Sequence, residues 1–141
     1  MFSNRSRWLL PVVLLSLAAC QAPSDRCAGG LGTPMMAYDL FFGRSVPNRG
    51  PVTDAEWRAF VEDTVATQLP DGFTVFDARG AWFSPRSGRT IHEDSKVLTV
   101  ATPATEAARA AIQRVREAYR QRFHQQVVGM IAHPVCGAFQ E

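Results

Sequence analysis

The stretch Thr53-Asp54-Ala55-Glu56 constrains the fold most, because it fixes where one helix must start. A threonine N-cap can accept from the amide of Glu56, and the Glu56 carboxylate can reach back to the amide of Thr53. From there Trp57, Phe60, Val61, Val65 and Leu69 recur at helical spacing until Pro70-Asp71-Gly72 stops the run. A second helix is predicted from Thr102-Pro103, with proline at the favoured first position. Its apolar stripe runs through Ala108, Ile112, Val115, Tyr119 and Phe123. Four β-rich runs bracket the two helices: Met36 to Gly43, Phe73 to Ala78, Thr90 to Ala101 and Gln126 to Ala132. The resulting order, βαββαβ, predicts an α+β ferredoxin-like sandwich with an antiparallel four-stranded sheet and both helices on one face.

Charge supports the helix pairing. The first helix carries Asp54, Glu56, Glu62 and Asp63 against Arg58, while the second carries five arginines against Glu106 and Glu117. Helices of opposite sign lying side by side attract at their shared edge, although solvent screens such pairs to modest values. The same five arginines would also suit anionic lipid headgroups. Internal acidic partners are the simpler expectation.

The N-terminus reads as a targeting segment. Arg5 and Arg7 precede the apolar run from Trp8 to Ala19, which is shorter than the roughly 20 residues that a membrane-spanning helix needs. Leu17-Ala18-Ala19-Cys20 resembles the lipobox of bacterial lipoproteins, in which the cysteine thiol takes a diacylglycerol and the new α-amino group is acylated. Each buried CH₂ adds about 0.8 kcal/mol, and two or more chains anchor stably. Gln21 after the cysteine fits the class sorted to the outer membrane. The expected organisation is a signal over 1–19, a lipidated tether over 20–34 and a single domain over 35–141. The protein is thus expected in the cell envelope, on the periplasmic side, with the membrane as a partner through its lipid.

Assigning Cys20 to lipid leaves Cys27 and Cys136, which an oxidising compartment would join. The loop they would close is worth roughly 4.7 kcal/mol in the chain-entropy model. Once Arg5 and Arg7 are removed, 13 basic residues balance 13 acidic ones, so charge gives no case for nucleic acid. His92, His124 and His133 have no metal-ligand spacing, and no phosphate loop or nucleophile motif occurs. No metal and no cofactor are expected.

In the first two strand runs the two alternating sets of residues are partly apolar: Tyr38, Leu40 and Phe42 against Ala37 and Phe41, and Phe73 and Val75 against Phe76 and Ala78. A sheet with one face in water alternates more cleanly. The second face therefore calls for a cover: a ligand, the sheet of a second copy in a homodimer, or the tether or a terminal segment folded over it. The stretch Thr90 to Leu98 concentrates His92, Glu93, Asp94, Ser95 and Lys96, the only lysine of the chain. Strand alternation turns His92, Asp94 and Lys96 to one side and Glu93 and Ser95 to the other, so the five cannot converge. An ion pair of Glu93 with Lys96 or Arg44 is one arrangement that could hold an acid or base.

Phe41 to Ser45, Pro70 to Trp82, Glu93 to Val97 and Tyr119 to Val128 together resemble a bacterial family of exported proteins and lipoproteins known only as domain of unknown function 3574. The resemblance runs from about Tyr38 to Phe139 and implies no activity. Arg44, Gly72, Gly80, Trp82, Glu93, Ser95, Lys96, Tyr119, Phe123 and Gln125 match the family's pattern, whereas His92 and His124 stand where Arg and Asn are usual. Tyr119 is expected in the core, because it lies on the helix stripe. Arg44, Trp82, Glu93, Lys96 and Gln125 are the candidate ligand-binding residues. The expected function is a small binding or interaction module. The alternative is a small enzyme of the dimeric α+β-barrel type, with its site on the free sheet face.

Overall fold

Why the chain folds as it does is clearest at its centre, where two strands supply the inner wall of the core. The structure is a computed structural model and describes Cys27, Gly29, Gly30 and residues 32–139. The predicted signal over 1–19, Cys20 and the first part of the tether lie outside the described residues. Strand β1 (Thr33–Gly43) leads into α1 (Asp54–Phe60), which continues through a π-helical turn (Val61–Val65) and a last α turn (Ala66–Gln68). Strands β2 (Thr74–Ser84) and β3 (Arg89–Thr102) form a long hairpin, followed by α2 (Glu106–Arg122) and β4 (Gly129–Gly137). The sheet order is β2-β3-β1-β4, and every neighbouring pair is antiparallel. This is the α+β ferredoxin-like arrangement, with β1 and β3 at the centre.

Alternation sorts the central strands into two faces. Tyr38, Leu40 and Phe42 on β1 pair with Val100, Leu98 and Lys96 on β3, and all six are buried beneath the helices. The helices answer with Trp57, Phe60 and Val65 from the first and Ile112, Val115 and Tyr119 from the second. Phe60 and Val65 are both fully buried although an α-helix would set residues five apart about 140° from each other. The π-helical turn between them, closed by the Ala66 amide on the Val61 carbonyl, widens the spiral so that both face the core.

The capping box forms: the Thr53 hydroxyl accepts from the Glu56 amide at 3.2 Å, and the Glu56 carboxylate accepts from the Thr53 amide at 2.8 Å. The Thr53 amide, and the Thr53 hydroxyl donating to the same carboxylate at 3.0 Å, hold the Glu56 carboxyl below the usual carboxylate range. The second helix starts later than the sequence suggests. Thr105 is its N-cap, accepting from the Ala108 amide at 3.2 Å, and Pro103 lies in the preceding loop. Strand β1 takes in Thr33 and Pro34, which the sequence assigns to the tether, because β4 offers them partners in Gly137 and Cys136. The sulfurs of Cys27 and Cys136 lie 2.10 Å apart, joining the approach to β1 to the end of β4.

The end of α2 places one histidine in a left-handed conformation. Phe123 closes the helix, His124 follows at φ 52°, and the Gln125 amide returns to the Arg120 carbonyl at 3.0 Å. This is a Schellman-type ending, whose left-handed position favours glycine or asparagine over a residue with a bulkier Cβ substituent. His124→Gly should therefore raise stability by about 0.5–1 kcal/mol in urea denaturation. A lower midpoint would show that the His124 side chain makes a compensating contact.

Candidate functional site

Past Gly43 the chain stays extended along β3, with the Arg44 amide donating to the Asp94 carbonyl at 3.1 Å, and its alternation divides the candidate residues between two faces. Phe42 points to the helices, Gly43 to the free face, Arg44 back to the helices, and Ser45 again to the free side. On the helix side, Arg44 donates through Nε to the Val52 carbonyl at 2.7 Å and pairs with Asp54 at 3.0 Å. Lys96, nearly buried, pairs with the same Asp54 at 3.4 Å and with Asp77 across the strands. Arg44 first and Lys96 second hold the Asp54 carboxyl below the usual range. The cluster fastens the start of α1 to β2 and β3, and both of its cations are occupied. Neither Arg44 nor Lys96 pairs with Glu93, and the proposed Glu93–Lys96 or Glu93–Arg44 pair does not form among the described residues.

On the other side, Trp82, Glu93 and Gln125 meet along one groove of about 630 Å³. The hairpin of β2 and β3 outruns β1, whose last partner on β3 is Ser95. Beyond that point Gly80 faces Glu93 and Trp82 faces Ile91, so these four residues form an arm along one wall of the groove. The sequence reading ends β2 at Ala78. The strand continues because β3 is 14 residues long and offers a partner as far as Ser84. The opposite wall comes from the loop after α2, through Gln125 and Val127, and Phe41 closes the inner end.

Glu93 sits half-buried at the centre. Its Oε1 accepts from the Ser45 amide at 2.9 Å. A Cβ built on Gly43 would stand 2.7 Å from that oxygen, so glycine there is what admits the carboxylate. Gln125 spends its Nε2 on the Ser45 carbonyl at 2.7 Å, and so holds the same segment from the far side. The floor is backed through the sheet by Tyr119, whose hydroxyl donates to the Gly43 carbonyl at 2.9 Å. Burial pushes the Tyr119 phenol up, and it stays protonated as that donor.

Gly43, Ser45 and Phe41 belong to this site and are missing from the sequence candidates. A glycine at the end of an otherwise aromatic strand was the available signal, since such a glycine marks close approach of another group. Ser95 also lines the groove, on the same face as Glu93. His92 lies on the opposite face of the arm and His133 on the edge strand, apart from His124. Among the described residues no three His, Cys, Asp or Glu side chains gather as a metal site.

The free face that carries the groove is largely apolar and open. Phe76, Val97, Phe41 and Gly129 form one row across all four strands. Phe76 is 53% exposed, Trp82 53% and Ile131 54%. The five arginines of α2, by contrast, all have internal partners: Glu106, Gln68, the Val128 carbonyl, Glu117 and Asp63 respectively. Only the Arg122–Asp63 pair joins the two helices by charge, so the expected attraction narrows to a single ion pair at 3.1 Å.

Sequence comparison matches residues 37–139 to the family described as "Protein of unknown function (DUF3574)". The chain belongs to this family. The DUF3574 match covers the groove whole, from Phe41 through Gly129. No curated protein matches the chain. Several solved structures share the fold. A phage SAM lyase in complex with S-methyl-5'-thioadenosine aligns with a TM-score of 0.53 at 18% identity, covering 76% of this chain and 93% of that one. CutA from Synechococcus elongatus aligns at 0.50 and 10% identity, covering 73% and 78%, and CutA1 from Oryza sativa at 0.50 and 14%, covering 77% and 86%. At such identities the likeness is one of fold.

Proposed function

We propose that this DUF3574 protein is an exported, lipid-anchored protein of the cell envelope whose domain binds a small ligand in the groove at Glu93. The observation that carries the binding part is a half-buried carboxylate, seated between glycines, beside exposed aromatic rings and without a cationic partner among the described residues. Such a combination of apolar wall and few fixed polar groups suits a small molecule, and the volume lies in the usual range for one. The anchoring part is supported by Arg5, Arg7, the apolar run and Leu17-Ala18-Ala19-Cys20. Gln21 fits sorting to the outer membrane. No helix among the described residues is long and apolar enough to cross a membrane, so in this reading attachment is left to Cys20.

A homodimer through the free face is the second reading, favoured by the exposed Phe76, Trp82 and Ile131. Catalysis on this face would need a proton-transfer partner for Glu93, and Ser95 and His124 are the groove residues with suitable groups.

Two measurements test the proposal. Cys20→Ser should leave an unprocessed precursor in the producing cell, and unchanged processing would refute lipidation. Native mass spectrometry of protein purified from its host should show a retained small molecule that Glu93→Gln loses. A clean monomer carrying nothing argues against both ligand and dimer.

A further inference from the structure

We infer that the ligand of the groove is a small organic cation, an ammonium nitrogen carrying apolar substituents. The inference rests on the groove being a binding site and adds the charge and shape of what it takes.

Hydrogen-bond accounting comes first. Glu93 commits Oε1 to the Ser45 amide, and its Oε2 has no protein donor among the described residues. Gln125 commits its NH₂ to the carbonyls of Ser45 and Phe123, which leaves its side-chain oxygen without a donor. Both fixed side chains at the groove therefore offer open acceptors, and an occupant must bring donors or positive charge.

Charge accounting points the same way. Four aspartates of the domain are met by cations: Asp54 by Arg44 and Lys96, Asp77 by Lys96, Asp94 by Arg79, and Asp63 by Arg122. Glu93 has no such cation among the described residues although it is more enclosed than those four, a condition it shares with the half-buried Asp39 of β1, and no lysine or arginine lines its groove. Removing a carboxylate from water without a counter-charge is costly, so an enclosed one without a partner marks a place where a cation gains most. An anionic ligand would find no positive partner there, because Arg44 and Lys96 are spent on the opposite face.

The walls define the rest of the ligand. Trp82 and Phe41 present exposed rings to the same space, and the face of an indole attracts a cation. Ile91 and Val127 add aliphatic surface. A carboxylate with an indole and a phenyl ring suits an alkyl- or methyl-substituted ammonium better than a strongly hydrated bare ion. A second copy of the chain cannot supply a lysine, since its only one, Lys96, is buried.

The test uses the full chain in detergent and isothermal titration calorimetry with four probes: choline, its neutral carbon isostere dimethylbutanol, butylammonium and butyrate. Choline or butylammonium should bind at least about tenfold more tightly than the neutral isostere, and butyrate should not bind. Glu93→Gln should erase the preference for charge. Trp82→Leu, on the exposed arm where folding is least at risk, should weaken choline binding about fivefold to tenfold. Equal binding of the isostere, or binding of butyrate, overturns the cation while leaving the groove as a site. A neutral or anionic molecule retained from the host and lost in Glu93→Gln does the same. No binding of any probe, with no retained ligand, overturns both readings.

Discussion

Tyr119→Ala should cost about 3–5 kcal/mol of folding stability, the largest loss expected from a single side chain in this domain. Tyr119 is fully buried, and its ring lies 4.8 Å from Phe42, 5.2 Å from Phe60 and 4.7 Å from Phe123, centroid to centroid. Three elements meet there: β1 through Phe42, the first helix through Phe60, and α2 through Tyr119 itself. Alanine would leave a cavity that cannot collapse without moving the sheet against both helices. Tyr119→Phe separates the hydroxyl from the ring. It should cost about 1–2 kcal/mol, because the Gly43 carbonyl loses its donor in a buried setting. The phenylalanine variant should also disturb the groove, since Gly43 is the floor on which Glu93 rests. Urea denaturation measures both. A loss below 1 kcal/mol for Tyr119→Ala would mean that the aromatic cluster is not a packed unit.

The same residue shows what was legible in the sequence. Its place in the core follows from helical spacing alone, as do the capping box at Thr53, the separation of Glu93 from Lys96 and the βαββαβ order. These are consequences of local periodicity, which a single chain displays directly. What sequence could not supply was register. Lys96 shares a face with Asp77 only because β2 and β3 pair with those two residues opposite each other. Arg44 meets Asp54 rather than Glu93 because the chain stays extended past Gly43, which puts Arg44 on the helix side, where the start of α1 lies. One residue of slip would exchange the partners. Gly80 likewise lies past the predicted end of β2, and becomes a strand residue through the length of its partner β3. The groove thus combines residues that periodicity identifies, Trp82 and Glu93, with residues that only pairing could recruit, Gly43 and Ser45.

Opening the Cys27–Cys136 bridge should lower stability by about 2–5 kcal/mol, and the loss should be concentrated at one edge of the sheet. The bridge closes a loop across a sequence separation of 109, so in the chain-entropy model it removes much freedom from the unfolded chain. The native consequence is more specific. No residue of β4 is buried, and the strand is held by its ladder to β1 rather than by packing into the core. Pro134 within it is tolerable because β4 is an edge strand. An edge strand without a buried side chain is drawn from the low-stability end of local unfolding. Reduction should therefore raise hydrogen exchange in Gly129–Gly137 and at the start of β1 well before it does so in α2, which carries the fully buried Ile112, Val115 and Tyr119. The Cys27→Ala/Cys136→Ala double variant should behave like the reduced protein, with its groove intact at Glu93 and Trp82, because those residues lie on β3 and β2, neither of which pairs with β4. Uniform loss of protection across the sheet and both helices would show instead that β4 unfolds only with the whole domain, and that the bridge acts through the unfolded chain alone.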